Sequence, residues 1–314
     1  MRLPRIIVLL SATLLPVAVA QAQRALDEQR LPAPQLTPGL RMRYQLDVRT
    51  AHDATVTGVV ENPQGGAQLS IRFSASLTLD ALQPQDGQTQ VRATISQVSV
   101  VTGGDTFDPS AAAIEERYRK LEGFTTVLSP GRALHSAESA PGASAAAEPW
   151  LPALLTRIVD GVHGAPAVTS GSEQPVHTSP LKGTVLRVQS SYLRDEPCGG
   201  QAERAATAAA SLAAEACAVM LTQSTLMQTG SRRDQTPLSY RERGLRTSGR
   251  WEGAGESLAY VARRNGWVVS ITESQSEQMD FTIARADGEV VHRQRGRIET
   301  QTNLLLQSVE SRKF

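Results

Sequence analysis

Ser179-Pro180-Leu181-Lys182 is the stretch of this 314-residue chain whose residue types come nearest to spelling out a reaction. Serine acylating enzymes set Ser and Lys one helical turn apart, so that the amine can take the hydroxyl proton. Here Pro180 and the following GTVLRVQ place the four residues at a loop-to-strand junction, and no Lys-Thr-Gly partner comes later. With serines scattered throughout the chain, chance accounts for the match. The five histidines, His52, His135, His163, His177 and His292, stand singly. They lack the His-x-x-x-His or His-Glu-x-x-His spacing that aims two imidazoles at one metal ion. No Gly-x-Ser-x-Gly elbow marks a nucleophile for a triad assembled from distant residues. The adjacent acids Glu115-Glu116 and Asp195-Glu196 read as solvated faces. Gly65-Gly66, Gly103-Gly104 and Gly199-Gly200 read as turns rather than as a phosphate cradle. The sequence offers no catalytic residue, metal site or cofactor motif, and the expectation is a non-enzymatic protein.

Cys198 and Cys217 are the only cysteines. No histidine lies at ligand spacing from either, so the pair reads as a disulfide, worth about 3 kcal/mol through restriction of the unfolded chain. That pairing belongs to an oxidising compartment, and the N-terminus agrees. Arg2 and Arg5, the apolar run Ile6 to Leu15 and the small-residue pattern Ala20-Gln21-Ala22 form a secretory signal peptide over residues 1–22. Pro16 interrupts the apolar run too early for a membrane span. The expected location is periplasmic or secreted. Loss of Arg2 and Arg5 leaves 30 basic against 31 acidic residues, a net charge of −1. Near-neutrality without aromatic interleaving gives no electrostatic footprint for nucleic acid. Only 4% of the residues are aromatic, too few for a glycan-stacking platform. A C-terminal Phe314 preceded by Arg312, Glu310 and Ser308 in its own phase does not make a lipid-facing barrel strand.

The elements that would position any site are mostly strands. After an extended leader, residues 23–39, with Pro32, Pro34 and Pro38, the chain alternates Leu40, Met42, Tyr44, Leu46 and Val48 against polar neighbours. Period two over that length predicts a half-buried strand. TVTGVVEN reads as a second, weaker strand, and Leu69 to Leu79 as a long third one. In the next strand the phase of Val91, Ala93 and Ile95 slips to Val98 and Val100, which predicts a bulge. The middle, about residues 109–163, is helical, apart from FTTVLSPGRAL, which reads as a strand, a Ser-Pro-Gly turn and another short strand. Asp108 caps a helix carrying Ile114, Tyr118 and Leu121, and Trp150 to Val162 forms the most apolar helix. Residues 170–180 read as turns. Strands then resume and run to the C-terminus, with LRTSGRWEG read as a strand separate from the hairpin after it; they are interrupted by an Ala-rich segment between the cysteines that reads as a disulfide-pinned insertion, 198–217. Asn265-Gly266 predicts a two-residue type I′ hairpin pairing Tyr260 with Ile271 and Ala262 with Val269. The expected fold class is α+β, predominantly antiparallel β: one β-rich domain over 40–314, a curved sheet or half-barrel with two packing helices.

Such a half-barrel is filled by its helices or leaves an apolar cavity. Trp150, Leu154 and Ile158 on the helix, with Tyr260, Val269 and Ile271 on the hairpin, are the candidate ligand-binding residues; the alternative is mutual core. The stretches GLRMRYQLDVR, LSIRFSASLTLDAL, GFTTVLSPGRAL and EPWLPALLTRIV, behind a signal peptide, resemble exported bacterial proteins with a lipoprotein-carrier-like (LolA-type) half-barrel. The resemblance spans most of the mature chain, and the Ala-rich segment departs from it. It implies a carrier or binder of lipidic groups in the cell envelope and assigns no role to any single residue. Two readings follow: an exported protein binding a lipid or other apolar small molecule, and an envelope protein-interaction module with a filled core. An enzyme with a spatially assembled site ranks behind both.

Overall fold

Ten strands hydrogen-bond into one open sheet with every neighbouring pair antiparallel. The computed structural model describes residues 31–58, 67–85, 88–104, 109–130, 150–162, 170–176, 179–198, 215–230 and 233–311. The first run comprises β1 (Leu40–Gly58), β2 (Ala67–Ala81), β3 (Val91–Gly104), helix α1 (Pro109–Arg119) and β4 (Thr125–Leu128). Helix α2 (Trp150–Asp160) follows. The second run is β5 (Ser170–Pro175), β6 (Thr184–Pro197), β7 (Ala216–Gln228), the one-turn helix α3 (Leu238–Arg241), β8 (Leu245–Ala262), β9 (Val268–Arg285) and β10 (Val290–Ser311). In space the order is β4-β3-β2-β1-β10-β9-β8-β7-β6-β5. Within the sheet the two runs therefore pair where β1 lies beside β10, and β4 and β5 are left as the edges.

The alternation of the sequence is realised as a buried inner face. Met42, Tyr44, Leu46 and Val48 on β1 lie level with Leu79, Leu77, Ala75 and Phe73 on β2, all buried. The α+β, predominantly antiparallel expectation holds, as does the disposition of the two packing helices. Tyr118 and Leu121 at the end of α1 are buried, and α2 buries Leu151, Leu154, Leu155, Ile158 and Val159. Each such side chain contributes roughly 1.5–3 kcal/mol. Phe73 sits between the helices, 5.3 Å from the Tyr118 ring and 6.0 Å from that of Trp150. The bulge falls where the phase slip put it. Gln97 takes a positive φ of 56°, and the β2/β3 register shifts between Ser74 and Ser76. The Glu122 carboxylate accepts from the Gln97 and Val98 N–H groups, satisfying donors that the bulge takes out of the ladder.

Four local expectations are corrected. Thr55 to Gly58 continue β1 instead of opening a separate strand. Residues 170–175, read as turns, are the edge strand β5, held by pairing with β6. LRTSGRWEG and the strand before the hairpin are one 18-residue strand, β8. The hairpin turn is also longer than two residues. Ala262 N–H donates to the Trp267 carbonyl, and Gly266 N–H to the Ala262 carbonyl. Only Gly266, at φ +71°, is left-handed; Asn265 instead accepts from the Trp267 N–H through its side chain. This wider loop slips the register by one, so Ala259 faces Ile271 and Tyr260 faces Ser270. The leader fixes the loop from outside: Gln35 N–H donates to the Asn265 carbonyl, and the Trp267 indole to the Gln35 carbonyl. The signal-peptide stretch, Asp108 and residues 199–214 lie outside the described residues. The disulfide itself is formed, Cys198 to Cys217, and both residues are fully buried.

Candidate functional site

The inner face changes character at one level across three adjacent strands. Along β9 the inward phase runs Ile271, Glu273, Gln275, Glu277, Met279, Phe281, apolar at both ends and polar between. On β8 the same phase reads Ala259, Ser257, Gly255, Gly253, Trp251, and on β10 Leu304, Thr302, Thr300, Ile298. The register aligns them. Ser257, Glu273 and Thr302 form one row, Gly255, Gln275 and Thr300 the next, and Gly253, Glu277 and Ile298 the third. On one side of this polar band lies the main core. On the other is a small cluster of Leu181, Met279 and Phe281, with Trp251, Ile283 and Ile298 packed against it.

A cavity of about 550 Å³ stands over the band. Helix α2 forms its roof with Trp150, Ala153, Leu154 and Arg157, while Leu186, Leu226 and Trp251 supply apolar wall from the strands. The glycines of β8 help to make the space. A Cβ on Gly255 would come within 2.6 Å of the Ser224 hydroxyl and 2.9 Å of the Gln275 side chain. One on Gly253 would press on Glu277 Cγ at 3.1 Å. Because neither exists, Gln275 and Glu277 lie over β8.

The polar groups of the band are partly paired. Arg157 reaches down from α2 to donate to Glu273 at 2.5 Å and to the Ser257 hydroxyl at 2.8 Å. Both members of that ion pair are about a fifth to a quarter exposed, so it is only partly screened. Gln275 donates to the second Glu273 oxygen at 2.5 Å. Glu277 accepts from the Trp251 indole N–H at 3.0 Å. No cation pairs with it among the described residues. The Trp150 indole nitrogen is buried and finds no acceptor among the described residues.

Of the residues singled out in the sequence, Trp150 and Leu154 line this cavity. Ile158, Val269 and Ile271 lie in the main core, with at most 2% exposure, packed among their neighbours. Tyr260 lies on the side of β8 opposite Ala259 and donates to Glu196 on β6. The Arg194 guanidinium, and after it this donation, hold the Glu196 carboxyl below its ordinary range. Glu273, Gln275 and Glu277 were missed because the polar run 273–277 reads as a break after the hairpin strand and not as its continuation. Their phase was the available signal, since Val269 and Ile271 before them and Met279 and Phe281 after them fall on the same side. The Ser-x-x-Lys stretch is not brought together: Ser179 is bonded to Thr184, and Lys182 pairs with Asp234 outside. Among the described residues no three His, Cys, Asp or Glu side chains gather as a metal site, and no helix is long and apolar enough to cross a membrane.

No protein-family model and no curated protein sequence matches this chain. Among solved structures, one of lipid-protein interactions in lipovitellin is similar over 89% of this chain at 11% identity, with a TM-score of 0.46. This chain spans only 26% of that protein's length. An outer membrane channel from Pseudomonas putida F1 aligns with 87% of this chain and 97% of its own at 11% identity, TM-score 0.23. A lipopolysaccharide binding protein aligns with 94% and 81% at 10% identity, TM-score 0.14.

Proposed function

We propose that this protein is an exported, non-enzymatic binder or carrier that holds one apolar or amphiphilic ligand of lipid class between α2 and the inner face of β6–β10. The observation that carries the reading is the change of the inner face from apolar to polar in register on β8, β9 and β10, under a helix that does not fill the space. A core that only had to pack would continue the alternation of Ile271 and Leu304 through these rows. Carboxylates on an inward phase cost free energy unless something polar meets them. Apolar walls with a few placed polar groups are the usual make-up of a small-molecule site. The buried disulfide and the secretory N-terminus support a place in the cell envelope, and the separation of Ser179 from Lys182 supports a binding role over acyl transfer.

The reading is tested by solvent extraction and mass spectrometry of the purified exported protein, with titration of an apolar fluorescent probe in parallel. Ala153 lines the roof of the cavity and its side chain is exposed, so Ala153→Trp intrudes on the space without touching the core. The expected result is a co-purifying amphiphile and a loss of about tenfold or more in probe affinity in the variant, or about 1.4 kcal/mol. A clean extract with no probe binding overturns the proposal in favour of an envelope interaction module with a filled core.

A further inference from the structure

The polar rows beneath α2 are unequal in charge, and the inequality names the end of the ligand they would meet. Glu273 is matched by Arg157, but Glu277 has no counter-cation among the described residues, so the described lining carries one net negative charge. One Glu277 oxygen is held by the Trp251 indole, which fixes the carboxylate against β8. The other is left to whatever enters. Trp251 lines the same cavity, so its ring borders the space beside that carboxylate. An ammonium placed there would gain from the carboxylate and from the electron-rich face of an indole. An anionic head would instead meet a like charge in a partly dehydrated site.

We infer that the ligand is an amphiphile whose polar end carries an amine or ammonium, seated at Glu277 with its chain along Trp150, Leu154, Leu186 and Leu226. This rests on the proposed binding function and adds to it the chemical class of the head. Three probes with one chain and different heads separate the two claims: decylammonium, decanol and decanoate, each titrated below micelle formation as a competitor of an apolar fluorescent probe. The expected order is ammonium ahead of alcohol by about tenfold, with decanoate weakest. Glu277→Gln is expected to bring decylammonium down to the alcohol. Glu299→Gln, which removes the same charge from the opposite face of β10, is expected to keep the preference. Competition by all three at similar strength overturns the head-group inference and leaves the carrier reading standing. Competition by none overturns both. A preference that survives Glu277→Gln also overturns the inference, and the wild-type series decides by itself should that variant fail to fold.

Discussion

His52 shows how one side chain reports the state of the inner face. It stands on β1 between Leu69 of β2 and Ile298 of β10. Burial lowers its pKa from the ordinary 6.5, and Arg117 on α1 adds to the shift. The imidazole is therefore neutral in the folded protein at pH values where the unfolded chain already binds a proton. Stability contributed by this group is complete above pH 6.5 and is lost as the pH falls toward the folded-state value. The depressed carboxyls of Glu116, Glu196 and Asp234 act in the same direction but at lower pH, below their ordinary 4.5 and 3.8. Urea denaturation across mildly acidic pH is expected to show stability declining just below pH 6.5, and His52→Gln to flatten that limb alone. An unchanged slope in the variant would mean that His52 is solvated in the native protein. The same burial acts on Tyr44, whose phenol is driven well above its usual range and serves as a donor to the Val268 carbonyl.

At the scale of elements, strands were legible wherever side-chain type followed position, and obscure wherever pairing or absence of side chains did the work. Leu40 to Val48 and Leu69 to Leu79 announce themselves by period two. Residues 170–175, Ser-Gly-Ser-Glu-Gln-Pro, carry nothing that favours a strand and become one because β6 offers an open edge. Gly253, Ala254 and Gly255 break the pattern of β8, which is why one strand looked like two. The candidate site was half legible for a related reason. Trp150 and Leu154 stand out on an apolar helix, whereas Glu273 and Glu277 can be placed inside only once the strand is known to continue through them. Glycine at a strand crossing is likewise silent in sequence and decisive in structure. Gly296 on β10 has φ +155°, and a Cβ there would lie 2.2 Å from the Asp53 carbonyl oxygen and 2.4 Å from Ala54 Cα. Gly288, in the β9–β10 turn at φ +94°, has nothing within 4 Å. Gly296→Ala combines an unfavourable φ with a backbone clash and is expected to cost about 2–4 kcal/mol, against about 1 kcal/mol for Gly288→Ala. Equal losses in denaturant titrations would show that β1 and β10 part easily at this crossing.

In the sheet, the two runs of strands are joined by one long-range pairing. β1–β4 and β5–β10 are each built from strands close in sequence, but Leu40 pairs with Ser311 and Leu46 with Leu304, across nearly the whole chain. Closing so long a loop is entropically costly, yet the cost rises only slowly with length, while the pairing buries an inner face shared by both runs. Leu304 is 1% exposed, between Leu46 on β1 and Ile271 on β9, which places it at that seam. Leu304→Ala leaves a cavity there and is expected to cost about 2–5 kcal/mol. If the seam joins the two runs into one cooperative unit, the loss must be felt on both sides of it. Hydrogen exchange should then show the most protected amides of β2 and of β7 falling by a similar factor, although neither strand pairs with β10. Loss confined to β1, β9 and β10, with β2 and β7 keeping their protection, would mean that each run folds on its own. The cavity under α2 depends on the outcome. Its roof hangs from the helix whose Trp150 packs on Phe73 of the first run, and its floor belongs to the second, so a weakened seam should cost ligand affinity along with stability.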